Sequence, residues 1–257
     1  MRQFTHRRDT RLAVDAWKGA HVTVLAGTWG ISRRLVLRKT VAELEKRGHR
    51  AKAIDLPGQG EDQTPLTKVT LGTMVDKIVA EMAGLPGQVV LVGHSLGGIA
   101  ISVTGETVPE RIKALVYLSA FLPRDGEALQ DIEHRNPKPV VLVNIIFDAE
   151  RVSGTIRPDK VREIFYHDCS DEDVADASAR LRPMAIAPLM TKVRLTPQRF
   201  GRIPRVYVEC TDDRALSIDM QRDMIAKSPP VNVRSIHASH SPFLSMPDKL
   251  AEAISDL

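Results

Sequence analysis

Residues 89–100 read V-V-L-V-G-H-S-L-G-G-I-A: an apolar, β-branched run leads to a serine between glycines and then to a small-residue segment that can be helical. Gly93 and Gly97 stand two residues before and after Ser95. A sharp strand-to-helix turn requires this spacing, because a Cβ atom at either glycine would collide where the backbone folds back. The segment therefore predicts that the Ser95 hydroxyl is held at the carboxyl end of a sheet.

Segments on both sides of this turn alternate between strand and helix patterns. Predicted strands cover residues 21–25, 51–54, 89–92, 114–120, 204–210 and 231–236. Predicted helices cover residues 32–47, 70–83, a segment through 220–225, and 249–257. Such alternation is typical of a parallel sheet covered by helices on both faces. The chain is therefore predicted to have an α/β fold with a mostly parallel, doubly wound sheet.

The alternation breaks down after the fourth predicted strand. Residues 122–188 combine turns, charged clusters and an apolar run at 139–147. We predict that this segment is an inserted cap over the carboxyl edge of the sheet, where it would exclude water and shape a pocket. The core then consists of residues 21–121 and 189–257, and residues 1–20 form an N-terminal extension.

Composition, charge and cysteine content indicate which kind of protein the chain forms. The chain has 257 residues, of which 43% are hydrophobic and 26% charged, as in a globular protein with a sizeable core. Its net charge of +4 comes from scattered basic residues, which does not indicate nucleic-acid binding. Cys169 and Cys210 form neither a disulfide framework nor a metal-ligand spacing. The sequence shows neither a secretory signal nor a membrane span, so we expect a cytoplasmic protein without metal, nucleic-acid or membrane partners.

A serine hydroxyl is a poor nucleophile unless a base takes its proton. Downstream of Ser95 come Asp212 and Asp213 at one predicted strand end and His240 after another. The chain order Ser, Asp, His at the ends of parallel strands predicts a catalytic triad in which His240 is the base. Spacing alone does not separate Asp212 from Asp213. His237 is interpreted as a surface or core histidine.

The tetrahedral intermediate of such a reaction needs backbone N–H groups that receive a negatively charged oxygen. We predict that these belong to Leu96, directly after the nucleophile, and to Thr28, in the glycine loop after the first strand. His94 lies inside the turn and is expected to pack or hydrogen-bond locally, away from the hydroxyl.

Candidate walls of a substrate pocket are the aromatic side chains of Trp29, Phe121 and Phe147. The apolar run at 140–147 favours a hydrophobic group in the substrate over a charged one. The same run is equally compatible with the core of the cap.

Five stretches resemble one branch of the α/β-hydrolases: the plant methyl-ester esterases and hydroxynitrile lyases, with bacterial relatives that include pyrethroid-hydrolysing carboxylesterases. They are G-H-S-L-G-G (93–98), A-L-V-Y-L-S-A-F-L-P (114–123), F-Y-H-D-C-S-D-E-D (165–173), Y-V-E-C-T-D-D-R-A-L (207–216) and A-S-H-S-P-F-L-S-M-P (238–247). The resemblance implies the α/β-hydrolase fold with an inserted cap, no cofactor and, as in many members, a homodimer. The family pattern T-x-D-[RK] implies Asp213 as the triad acid.

Two positions depart from the family pattern. Ala26 stands where relatives usually carry histidine, in the loop expected to supply Thr28. Ser241 follows His240, where the lyases carry a lysine that holds the cyanide leaving group. The resemblance then implies hydrolysis of carboxylic esters of small to medium hydrophobic substrates through an acyl-enzyme on Ser95. The alternatives are a hydroxynitrile lyase-like C–C lyase and a non-catalytic, ligand-binding member of the fold.

Overall fold

The structure, a computed structural model, describes residues 22–27, 37–229 and 231–257. The strands in these residues are β1 (Val22–Gly27), β2 (Arg50–Ile54), β3 (Val89–Ser95), β4 (Ile112–Ala120), β5 (Ile145–Phe147), β6 (Ser153–Ile156), β7 (Met184–Ala185), β8 (Arg205–Cys210) and β9 (Asn232–Ile236). The main sheet has the order β2-β1-β3-β4-β8-β9, and each neighbouring pair is parallel. The predicted α/β class with a mostly parallel sheet is confirmed.

Helices cover both faces of this sheet. The described helices are α1 (Arg38–Lys46), α2 (Leu71–Ala83), α3 (Gly97–Thr107), α4 (Leu129–Glu133), α5 (Val140–Val143), α6 (Val161–Phe165), α7 (Asp171–Ala179), α8 (Ala187–Met190), α9 (Ile218–Lys227), α10 (Pro242–Ser245) and α11 (Pro247–Ser255). None of these helices is long and apolar enough to cross a membrane.

The apolar run of β3 is continuous because the strand is buried on both faces. Val89 and Leu91 pack into one hydrophobic cluster with residues of α2, α3 and α9. Val90 and Val92 point the other way, into a second cluster with residues of α1, α10 and α11. The two layers of helices therefore confirm the doubly wound prediction.

A second, antiparallel sheet contains β5, β6 and β7. The sequence pattern did not predict it, because strands of two to four residues are too short for an alternation to show. The apolar run at 139–147 is divided between α5 and β5. Of the helix predicted at 32–47, α1 accounts for the second half, and residues 32–36 lie outside the described residues.

The turn after β3 has the strained geometry that Gly93 predicts. Ser95 adopts a left-handed φ of 57°. A Cβ atom on Gly93 would lie 2.7 Å from the carbonyl oxygen of Gly97. A Cβ atom on Gly98 would lie far inside van der Waals contact with the carbonyl oxygen of Phe121, so α3 packs directly on the backbone that follows β4. This close approach holds the serine at the sheet edge.

Hydrogen bonds also join the segment after β9 to the segment after α6. Asp168 Oδ2 accepts hydrogen bonds from the Ser239 backbone N–H at 2.8 Å and from Ser245 Oγ at 3.0 Å. Ser239 Oγ in turn donates to the carbonyl oxygen of Phe165 at 3.2 Å. Because His240 directly follows Ser239, these contacts fix the backbone that carries His240.

We expect Gly98→Ala to lower the free energy of unfolding by about 1–3 kcal/mol or more. The new methyl group would collide with the carbonyl oxygen of Phe121, and a backbone atom cannot move aside by changing rotamer. Gly84→Ala is the matched control: Gly84 has a φ of −82°, and its Cβ would meet no atom within 4 Å. We expect the control to stay within about 1 kcal/mol of wild type. Urea unfolding measures both variants, and equal stability of the two would contradict the close packing of α3.

The pKa of Asp168 gives a second prediction. Burial acts to raise this pKa, but the hydrogen bonds from Ser239 and Ser245 outweigh it, so the pKa lies below its ordinary value of 3.8. The ionised carboxylate therefore stabilises the folded state at neutral pH, and this contribution is lost as the pH falls through the folded-state pKa. We expect Asp168→Asn to lower the free energy of unfolding by about 1 kcal/mol at neutral pH.

The difference between Asp168→Asn and wild type should shrink below about pH 4. Unfolding curves measured over a series of pH values test this, with exposed Asp76→Asn on α2 as the control. A difference that does not change with pH would count against the assigned role of the Asp168 charge.

Candidate active site

The three predicted catalytic side chains lie at the carboxyl edge of the main sheet. Ser95 ends β3, Asp213 lies in the loop after β8, and His240 lies in the loop after β9. The three strands are parallel, so their carboxyl ends meet at the same edge. All three side chains are buried, with relative exposures of 2% for Ser95, 6% for Asp213 and 2% for His240.

His240 is hydrogen-bonded to Asp213 in a way that fixes its tautomer. Its Nδ1 lies 2.7 Å from Asp213 Oδ2. An ionised carboxylate only accepts hydrogen bonds, so Nδ1 carries the proton and Nε2 of the neutral ring has a free lone pair. Nε2 is buried without a hydrogen-bond partner in the part of the chain that the structure describes. Ser95 and His240 line the same cavity, and Nε2 makes no hydrogen bond to the Ser95 hydroxyl. An imidazole nitrogen with a free lone pair is the form that can act as a base.

The carboxylate of Asp213 receives four hydrogen bonds. Its Oδ1 accepts from the backbone N–H groups of Ala215 at 2.7 Å and Leu216 at 2.9 Å. Its Oδ2 accepts from His240 and from the hydroxyl of Ser119. A buried charge requires such compensation, and the four donors also fix the orientation of the carboxylate.

Asp212, the neighbour that sequence spacing could not separate from Asp213, points elsewhere. Its side chain is 48% exposed and lies 3.1 Å from Nε2 of His167. Of the two carboxylates, Asp213 alone contacts His240 within the described residues.

Ser119 was missed by the sequence analysis, and a bulge in β4 explains its position. Where Ser95 pairs with Ala120, the register between β3 and β4 shifts by one residue, and Ser119 has a φ of 36°. The hydroxyl of Tyr207 donates to the Ala120 carbonyl at 2.7 Å and accepts from its N–H at 3.1 Å. The bulge directs the Ser119 hydroxyl to Asp213. A serine at the end of an otherwise apolar strand was the available signal.

His94 also has a longer-range role than the predicted local one. Its Nε2 lies 2.8 Å from the backbone carbonyl oxygen of His240, so Nε2–H is the donor. The two imidazole rings are 4.4 Å apart between centroids, and the Phe165 ring lies 5.6 Å from the ring of His240. The rings of His94 and Phe165 both pack against the His240 ring.

Of the predicted oxyanion-hole residues, only Leu96 can be located. It lines the cavity and directly precedes α3, so its N–H is among those that a helix start leaves without an intrahelical partner. Thr28 lies outside the described residues, and so does Trp29, one of the predicted pocket walls.

The cavity beside Ser95 has mainly apolar walls. It contains about 410 Å³ of space not filled by atoms, part of it open to solvent. Phe121, a predicted wall, lines it. The other large apolar side chains that line it are Leu96, Leu129, Val141, Leu142, Ile145, Leu189 and Leu216. Residues from the predicted cap segment thus face the same space as the serine and the histidine.

Phe147, the third predicted wall, does not line this cavity. It ends β5 opposite Gly154 of β6 and is 40% exposed. The guanidinium of Arg151 lies 5.4 Å from the centre of its ring. The apolar pattern of 140–147 could not show this, because it does not reveal where the segment turns from α5 into β5.

The two cysteines are not nucleophiles of this site. Burial raises the pKa of the Cys169 thiol to about 12 and that of Cys210 well above its ordinary value, so neither forms the reactive thiolate near neutral pH. Within the described residues, no group of three or more His, Cys, Asp and Glu side chains is arranged to hold a metal ion.

Comparison with known proteins gives relatives along most of the chain. The pyrethroid hydrolase of Sphingobium wenxiniae is 32% identical over 222 residues, which cover 83% of this chain and 79% of that protein. The putative chloroplastic methylesterase 14 of Arabidopsis thaliana is 30% identical over 241 residues, covering 85% and 67% of the two chains.

Solved structures agree with these sequence matches. The crystal structure of a pyrethroid hydrolase from Sphingobium faniae JZ-2 superposes with a TM-score of 0.84 at 31% identity, covering 92% of this chain and 96% of the other. The family model described as alpha/beta hydrolase family matches residues 19–253. The resemblance predicted from the five stretches is therefore confirmed: the chain belongs to the alpha/beta hydrolase family, with relatives among the plant methylesterases and bacterial pyrethroid hydrolases.

Proposed function

We propose that this enzyme hydrolyses carboxylic esters through an acyl-enzyme on Ser95. The proposal rests on the buried His240–Asp213 pair. His240 is hydrogen-bonded to Asp213 through Nδ1, its Nε2 has no partner among the described residues, and it lines the same cavity as Ser95. Esterase chemistry is supported by relatives whose names are methylesterase and pyrethroid hydrolase.

Proton transfers assign a role to each member of the triad. Nε2 of His240 takes the Ser95 proton as Oγ bonds to the ester carbonyl carbon, and Asp213 stabilises the imidazolium that forms. The oxyanion is received by the N–H of Leu96 and, as predicted from sequence, by that of Thr28. When the C–O bond to the alcohol breaks, the alcohol leaves with the proton from His240. Water then attacks the acyl-enzyme in the same way and releases the acid.

The cavity walls support a proposal for the substrate range. We assign residues 122–188 as a cap, which contributes Leu129, Val141, Leu142 and Ile145 to the cavity. Side chains of this kind favour small to medium esters with a hydrophobic acyl or alcohol group. The predicted cytoplasmic location and the homodimer implied by the resemblance remain part of the proposal.

The residue that follows His240 argues against lyase chemistry. Ser241 is 2% exposed, and its N–H donates to Ser239 Oγ at 3.2 Å. A serine hydroxyl carries no positive charge for a cyanide leaving group, whereas ester hydrolysis needs none at this position.

Pre-steady-state kinetics test the acyl-enzyme. With p-nitrophenyl butanoate we expect a burst of p-nitrophenol, no burst in Ser95→Ala, and a loss of turnover on the order of 10⁵-fold in Ser95→Ala and His240→Ala. Circular dichroism verifies that both variants fold. Substantial turnover by Ser95→Ala would contradict the proposed acyl-enzyme. Ligand binding without turnover in wild type would support the non-catalytic alternative.

The neighbouring aspartates provide a matched pair of variants. Asp213→Asn should lower kcat on the order of 10⁴-fold, because the amide disturbs the tautomer and the charge that His240 needs. Asp212→Asn should stay within about twofold of wild type, since this side chain is half exposed and contacts His167. Steady-state kinetics measure both, and a larger loss in Asp212→Asn would reverse the assignment.

A further inference from the structure

One ionisable side chain in the cavity has no part in the triad. Glu133 ends α4, is 4% exposed, and lines the same cavity as Ser95 and His240. Most other walls of this cavity are apolar. A carboxyl group is expensive to bury among such walls unless it gains hydrogen bonds or an ion-pair partner.

Glu133 has few of the partners that usually offset this cost. Its Oε2 accepts one hydrogen bond, from Nδ2 of Asn136 at 3.1 Å. No cation lies within ion-pair distance of Glu133 among the described residues, and Arg135 is engaged with Glu127 at 2.9 Å. Burial raises the pKa of Glu133 above its ordinary value, with the Asn136 hydrogen bond acting in the opposite direction.

The Asn136 amide cannot be reversed without losing a contact. Its Oδ1 accepts from the backbone N–H of Lys138 at 3.0 Å, which directs Nδ2 toward Glu133. Asn136 therefore holds one carboxyl oxygen of Glu133 as an acceptor. The other oxygen, Oε1, makes no hydrogen bond to the described residues.

Two acidic side chains nearby show what a structural role requires. Asp131 Oδ2 accepts from the Ala128 N–H at 2.9 Å and so caps the start of α4. Glu127 is paired with Arg124 and Arg135. Glu133 neither caps a helix nor forms an ion pair in the described part of the chain.

We propose that Glu133 determines substrate specificity by accepting a hydrogen bond from a hydroxyl or protonated amine on the non-reacting part of the ester. The inference rests on the proposed ester hydrolysis, because the cavity is then the substrate site. It refines the expectation that the substrate carries a hydrophobic group: the apolar walls bind the hydrocarbon part, and Glu133 selects esters that also have a donor group. A substrate without a donor leaves the carboxyl group desolvated and unpaired, which costs affinity.

Three inhibitors of equal heavy-atom count test this specificity: n-hexylamine, n-hexanol and methyl pentyl ether. They are compared as competitive inhibitors of p-nitrophenyl acetate hydrolysis at about pH 8 in wild type, Glu133→Gln, Glu133→Leu and the control Glu172→Gln. Glu172 is exposed on α7, outside the cavity. Hydrolysis of p-nitrophenyl acetate by each variant reports that it is folded.

In wild type and Glu172→Gln we expect the amine and the alcohol to bind about tenfold more tightly than the ether. In Glu133→Leu the preference should vanish or reverse. Glu133→Gln should keep part of the preference for n-hexanol, because the amide oxygen still accepts a hydrogen bond. It should lose the preference for n-hexylamine, because the negative charge is gone.

Equal affinity of all three compounds in wild type, or the same ranking in wild type and Glu133→Leu, would overturn the role of Glu133. Tighter binding of the ether in wild type would do so too, since it would mean that the carboxyl group is protonated and donates. If wild type does not hydrolyse the acetate, the proposed function fails. Calorimetric titration with the three compounds then still decides whether Glu133 selects donors.

Discussion

A single buried carboxylate, that of Asp213, joins the elements on which the site depends. Its four donors come from the end of β4, from its own loop after β8, and from the loop after β9. A charge in this position is tolerable only if all of these segments adopt their observed places together. The requirement for hydrogen bonds thus turns three separate strand ends into one rigid arrangement.

The backbone reaches this arrangement through two irregularities in otherwise regular strands. Ser95 and Ser119 both have a positive φ, at the ends of adjacent strands β3 and β4. Strain of this kind persists only when the surroundings enforce it. Here Gly98 lets α3 press against the backbone after β4, and the Tyr207 hydroxyl satisfies both polar groups of Ala120.

Much of this fold was predictable from local sequence, because buried parallel strands appear as apolar runs and their ends as glycine-rich or polar loops. Ser95 and His240 could be placed for the same reason. The sequence could not show which of Asp212 and Asp213 contacts His240, because the conformation of the loop decides the direction of each side chain. The roles of three other residues could not be predicted. Ser119 and His94 make contacts with segments that are distant in the chain, and Glu133 lies on a helix too short to show a period.

Part of the cavity wall comes from a different stretch of the chain than Ser95 and His240. Ser95 ends a strand of the six-stranded sheet and His240 lies in the loop after another, whereas Val141, Leu142 and Ile145 come from a short helix and strand outside this sheet. Substitutions in that outer stretch can therefore change part of the cavity wall without altering the strand end that carries Ser95 or the loop that carries His240. Part of the shape of this space can thus vary independently of the six-stranded sheet.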